Sequence, residues 1–228
     1  MPLLFQHVTT LLSTLEAVSR RPQTGPAGSS SSGRSCSAAV RHALDSWFER
    51  HRDAIGSGGS ATLLAVLSVL LPQRRPDRVY GLGKAALVRV LAHVLGVAGT
   101  QRETLLLAAI RPGADDDLGA AVERIVGRVS VSVFGTGTDT GTSAVTVDEL
   151  DDALDRLAAR CVFSSAELRR RHCGEDARAV LGPLFRRLGP LEAKWATRCL
   201  LKCLLPVVVP GALQIPAPRL PLLIRPQN

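Results

Sequence analysis

Aromatic side chains and cysteine frameworks are scarce in this sequence. Its 228 residues include five Phe, two Trp and one Tyr, so a core must be built mostly from Leu, Val and Ala, which favours helices. The five cysteines are an odd number without framework spacing, and the N-terminus shows no basic region of a secretory signal. The sequence therefore argues against a secreted, disulfide-stabilised protein and predicts a reducing compartment.

Long apolar runs are also missing. Residues 61–71 form the longest run in the first half of the chain, and this run is too short to span a bilayer. Prolines repeatedly interrupt the apolar residues after position 205. We therefore expect no membrane-spanning segment and no membrane partner.

Motifs of catalysis and metal binding are absent as well. The segment Gly81–Lys84 resembles the end of a phosphate-binding loop, but Arg78 and Ala85 stand where that motif needs Gly and Ser or Thr. His172 and Cys173 lack the paired cysteines that a zinc site requires. The sequence therefore predicts no catalytic residue, no cofactor site and no metal site in this chain.

Basic residues, in contrast, are abundant and are nearly all arginine. The formal net charge is +8, with the basic excess in residues 61–111 and 161–228 and an acidic excess between them. If the two basic segments fold together, they form a one-sided positive surface, the electrostatic footprint of a protein that binds phosphate backbones. A GC-rich genome would give the same arginine excess without any function, so composition alone leaves both explanations open.

Helical periodicity recurs along most of the chain. Its clearest start is Thr146 followed three residues later by Glu149, the pattern of a capping box. The predicted helices cover residues 3–20, 38–54, 60–71, 85–95, 102–110, 115–130, 146–160, 164–172, 175–188 and 191–205.

Two segments interrupt this pattern. The Gly/Ser-rich residues 22–37 are predicted to form a flexible insert, and residues 130–143 a short extended piece and a loop. The sequence thus predicts one all-α domain over residues 1–205, followed by a proline-rich tail at 206–228.

The last predicted helix carries Lys194, Arg198 and Lys202, which are spaced four residues apart. Each step of four residues drifts by only about 40° around a helix, so the three cations share one face while Trp195 lies on another. We therefore expect this helix to be buried on one side and cationic on the other. The cationic face is either a solvated surface over the core or a row of phosphate contacts.

Several segments, in order along the chain, resemble a known family. LEAKWATRCLLK at 191–202 is similar to the L-E-x-K-W-x-x-R-x-x-x-K segment that closes the N-terminal DNA-binding domain of eukaryotic ATP-dependent DNA ligases, in particular DNA ligase IV. The other similar segments are helix one with Phe5, DSWFERHRDA, LLAVLSVLLPQRRPDRVYGLGKAALVRVL and VTVDELDDALDRLA. The resemblance implies a multi-helix orthogonal bundle that binds double-stranded or nicked DNA in nuclear repair, recombination and end joining.

The same resemblance shows which part of a ligase is missing from this sequence. The ligase nucleophile is the lysine of a Lys-x-Asp-Gly motif, and none of the three lysines here begins one. ATP and Mg²⁺ are therefore expected only for a full-length ligase, and the tail at 206–228 leads toward a catalytic domain that this sequence lacks.

Seven cations are the candidate DNA contacts. Backbone contacts position a protein without reading sequence, which suits breaks that occur anywhere. We also expect Trp195→Ala to unfold the domain and Lys194→Ala to change binding only. The candidates are Arg74, Arg75, Arg78 and Lys84 from a loop between helices, and Lys194, Arg198 and Lys202 from the last helix.

The alternative function is a helical protein–protein interaction module that keeps the ligase-domain fold without binding DNA. Its partner would be an end-processing nuclease or another end-joining protein.

Overall fold

The described part of the chain is entirely helical. The computed structural model describes residues 2–20, 31–110, 117–134, 145–207 and 209, with residues 31–36 and 129–134 described by their backbone alone. These residues form ten α-helices and one short 3-10 turn at Pro72–Arg74, and no named strand occurs among them. The all-α prediction is therefore confirmed. The helices are α1 (Phe5–Arg20), α2 (Ser31–Arg50), α3 (Arg52–Leu70), α4 (Lys84–Val94), α5 (Gly99–Ile110), α6 (Leu118–Phe134), α7 (Val147–Ala159), α8 (Ala166–Arg171), α9 (Ala177–Phe185) and α10 (Pro190–Leu200).

Side-chain caps fix the starts of helices α7 and α6. The predicted capping box of α7 is confirmed, because the Thr146 hydroxyl accepts from the Glu149 amide while the Glu149 carboxylate accepts from the Thr146 amide. The carboxylate of Asp117 accepts from the amide of Ala120 at 2.8 Å and caps α6.

The core surrounds α10, the most completely buried helix of the described chain. This helix packs along α6 and also against α1, and all nine of its residues from Glu192 to Leu200 are buried. At Gly119 the two helices approach so closely that a Cβ atom would lie 2.9 Å from the carbonyl oxygen of Lys194. The chain start is also fixed, since the Phe5 amide donates to Val145 and the Val147 amide to Leu3. Helix α10 therefore lies inside the bundle rather than on its surface.

The boundaries predicted for the two non-helical segments, 22–37 and 130–143, are wrong. Helix α6 continues through 130–134, where an extended piece was expected, and α2 begins at Ser31 inside the expected flexible insert. Helix propagation adds a hydrogen bond with each residue, so an established helix extends through segments of weak propensity. The parts of these two segments at 22–30 and 135–143 lie outside the described residues, as does the tail apart from 206, 207 and 209.

Helix α3 is the one described helix with the length and composition to cross a membrane, with a mean hydropathy of 1.4 over its most apolar stretch. Gly59, at φ +71°, interrupts its helical geometry, and Val66, Val69 and Leu70 are buried in the core. The part of α3 that follows Gly59 therefore packs in the core of the bundle.

Candidate nucleic-acid interface

The cationic face of α10 is not exposed. Only 8% of Lys194 and 1% of Arg198 is exposed to solvent. The expectation of a helix buried on one side and cationic on the other is therefore wrong. Both cations instead face carboxylates that α1 and α6 bring into the interior.

We call this group of five residues the central ion cluster: Glu16, Asp117, Glu123, Lys194 and Arg198. The Lys194 Nζ atom lies 2.8 Å from Glu16 Oε2 and 3.3 Å from Glu123 Oε2. Arg198 donates from Nη1 to Glu16 Oε1 at 3.0 Å and from Nε to Asp117 Oδ2 at 2.7 Å. Buried charges are tolerated when they are paired and hydrogen-bonded, as these are. The row of cations therefore joins α10 to α1 and to α6.

The Trp195 ring contacts both cations of the central ion cluster. Its ring centroid lies 4.6 Å from the Arg198 guanidinium carbon and 5.5 Å from Lys194 Nζ, within the range of cation–π attraction. Its indole N–H donates to Ser13 at 3.1 Å. Burial alone would raise the pKa of Glu16, but the hydrogen bonds and charges of Lys194 and Arg198 outweigh burial and lower it below its usual value.

A second, partly buried group, the loop ion cluster, consists of Arg75, Asp77, Arg78, Asp151 and Asp155. Arg78 is 1% exposed, and its guanidinium pairs with Asp151 at 2.7 Å and with Asp155. Arg75 pairs with Asp77 at 2.8 Å and with Asp155 at 3.5 Å. The cluster holds the segment that follows α3 against α7, so Arg78 is a structural residue in this conformation.

Lys202 connects this loop to the end of α10. Its φ of +50° lies in the left-handed region. The Lys202 amide donates to Cys199 and the Cys203 amide to Arg198, the two bonds of a Schellman motif. Glycine is usual at this position, but here Nζ donates to the carbonyl oxygens of Arg75 at 2.6 Å and Arg78 at 2.5 Å. Lys202 therefore fastens the loop, and its burial lowers its pKa.

The structure thus separates the seven candidate contacts into three groups by their exposure to solvent. Helical spacing showed which of these residues share a face, but it could not show that carboxylates distant in sequence cover that face. One available signal was Glu16, an acidic residue beside the apolar stripe of α1. Arg74 and Lys84 are exposed, Arg75 and Lys202 are half-buried, and Arg78, Lys194 and Arg198 are buried.

Sequence reasoning missed an open groove between α5 and α6. This α5–α6 groove has a volume of about 380 Å³. Arg124 and Arg128 are exposed along it, one helical turn apart on α6, and Gln101 and Thr104 lie on the opposite wall. Guanidinium and amide groups are donors suited to phosphate oxygens. The full lining is Gln101, Thr104, Ala121, Arg124, Ile125 and Arg128.

Metal-binding residues do not gather in the part of the chain that the structure describes. There, no group of three or more His, Cys, Asp or Glu side chains could hold an ion. Cys199 is buried, and burial raises the pKa of its thiol to about 12, so it serves as an apolar packing residue.

Comparisons with known proteins agree on one family. Residues 4–209 match the family described as DNA ligase N terminus. The chain is also similar to the "Putative DNA ligase 4" of Oryza sativa subsp. japonica, with 31% identity over 154 residues. That similarity covers 65% of this chain and 11% of the rice protein.

Proposed function

The chain belongs to the DNA ligase N-terminus family, and we propose that it binds double-stranded or nicked DNA through the sugar-phosphate backbone. The observation that carries this proposal is the family match over residues 4–209. A net charge of +8 supports it, because phosphate neutralisation supplies most of the affinity of sequence-independent DNA binding.

The proposed contacts differ from those that the row of cations suggested. Arg74 and Lys84 remain candidates because they are exposed and form no ion pair among the described residues. Arg124 and Arg128 join them, since they line the α5–α6 groove beside Gln101. The buried Arg78, Lys194 and Arg198 and the half-buried Arg75 and Lys202 support binding indirectly, by holding the helices and the loop in place.

Several finer assignments extend this proposal. The chain would take part in DNA repair, recombination and end joining within a DNA ligase IV-like protein. This assignment is supported by the similarity to the rice protein and by the sequence segments that resemble DNA ligase IV in the same order along the chain. Nuclear location and an end-processing nuclease as partner belong to the same proposal.

The residues present do not fit an ATP site of the ligase type. Lys194 and Lys202 are held in buried or half-buried contacts, and Lys84 is followed by Ala-Ala-Leu rather than by x-Asp-Gly. We therefore propose that this chain supplies DNA binding, and that ATP, Mg²⁺ and the ligase nucleophile belong to the catalytic part of a full-length ligase.

The test is fluorescence anisotropy of a nicked duplex titrated with the protein at several salt concentrations. We expect log affinity to fall linearly with log salt, with a slope of about −0.9 for each phosphate neutralised. The variant Arg124→Ala/Arg128→Ala should weaken binding and flatten this slope. Arg41→Ala, which removes an exposed cation of α2, is the matched control and should leave both unchanged. A folded parent protein without salt-dependent binding would refute the proposal and favour the protein–protein interaction module.

A further inference from the structure

Two large apolar side chains stand exposed at the turn between α7 and α8. Val162 is 70% exposed and Phe163 is 80% exposed. Phe163 is the most exposed large apolar residue of the described chain. We call this pair the apolar tip. A single exposed apolar residue is ordinary on a protein surface, but two adjacent exposed apolar residues at one turn need an explanation.

The turn is held rigidly beneath the apolar tip. Ser164, only 4% exposed, accepts from the Val79 amide at 3.0 Å and lies within hydrogen-bond distance of the carbonyl oxygens of Val79 and Ala158. The Ser165 amide donates to the carbonyl oxygen of Asp77 at 3.0 Å. The turn is thus fastened to the segment that follows α3, and the tip projects from a fixed base.

Exposed arginines belong to both segments that meet at this base. Arg74 lies on the segment after α3 that the turn contacts. Helix α8 starts immediately after the turn, and Arg169 donates from Nε to the Ser164 carbonyl oxygen at 3.2 Å. Arg169 and Arg170 are exposed. An apolar tip with exposed arginines next to its base is complementary to duplex DNA, which presents phosphates on either side of apolar base stacks.

We propose that Phe163 is a wedge that enters duplex DNA at a break and contacts the unstacked base pair there. This inference rests on the proposed DNA binding. Proteins that bind the minor groove often insert apolar side chains between base steps, and unstacking costs least where the duplex is already interrupted. The cations beside the tip would position the DNA backbone, while the tip distinguishes a break from continuous duplex.

The experiment uses a nicked duplex with 2-aminopurine next to the nick, since this base fluoresces more strongly when unstacked. The parent should raise the fluorescence on binding, whereas Phe163→Ala should not and should bind the nicked duplex roughly 10-fold more weakly. Phe163→Trp should retain both properties. The salt slope should be the same in all three proteins, because the wedge displaces no counterions. The control Leu64→Ala, which removes a similarly exposed side chain from α3, should behave as the parent.

The outcomes separate the wedge from the proposed function. If the parent binds with the expected salt slope while Phe163→Ala keeps its affinity and its fluorescence signal, the wedge is refuted and DNA binding stands. If the parent does not bind DNA, both fail. Concentration-dependent self-association that Phe163→Ala abolishes, with DNA binding unchanged, would assign the tip to a contact between copies of the chain.

Discussion

Replacement of Arg198 by methionine tests the central ion cluster most directly. Methionine keeps most of the length and apolar volume of the side chain but removes the guanidinium. Two hydrogen-bonded ion pairs, to Glu16 and Asp117, and the contact with Trp195 are lost together. The substitution therefore leaves carboxylates facing an apolar side chain.

The structure sets the expected magnitude. Removing one partner of a buried ion pair costs about 3–5 kcal/mol, because the remaining charge stays buried without compensation. Glu16 keeps Lys194, and the Asp117 side chain is 26% exposed, so we expect a loss near the lower limit, about 3 kcal/mol. In a chain of this size such a loss lowers Tm by about 6–12 °C.

The assay is urea denaturation followed by circular dichroism, with Arg89→Met as the control. Arg89 is exposed on α4, so its replacement should change the free energy of unfolding by less than about 0.5 kcal/mol. Adding Glu16→Gln to Arg198→Met should recover part of the loss, with a coupling of about 1 kcal/mol or more. If Arg198→Met unfolds within 1 kcal/mol of the parent, as Arg89→Met is expected to, the cation reaches solvent and our account of α10 is wrong.

Two further predictions concern the end of α10 and the response to acid. Lys202→Ala should be less stable than Lys202→Gly by about 1 kcal/mol in urea denaturation, because both lose the bonds to the loop but only alanine keeps the left-handed strain; equal stability would contradict the strained backbone. Burial and the neighbouring charge of His51 lower the pKa of His7 below 6.5, so the unfolded chain binds the proton more readily. The stability that His7 contributes is complete above about pH 6.5 and is lost as pH falls below it. The urea midpoint should drop between pH 7.5 and 5.5 by more in the parent than in His7→Gln, and an equal drop would assign the acid sensitivity to other groups.

Much of the fold could be predicted from the sequence because its signals are local. The capping box at Thr146 and Glu149 fixed the start of α7, and apolar periodicity located most of the other helices. The site could not be predicted in the same way. Lys194 and Arg198 look like a surface row from their own helix, and only the packing of α1 and α6 brings Glu16 and Asp117 against them. That structure leads us to expect Lys194→Ala to destabilise the domain, in addition to any effect on binding.

The central ion cluster also has a consequence for the order of folding. The bond from Lys194 to Glu16 joins residues 178 positions apart, and the bond from Trp195 to Ser13 joins residues 182 positions apart. Contacts of such high sequence separation close a very long loop, which makes them entropically costly and slow to form. During synthesis α1 can pack against α2 early, but its contacts with α10 must wait until α10 has left the ribosome. The domain can therefore reach its final core only when nearly its whole length is available.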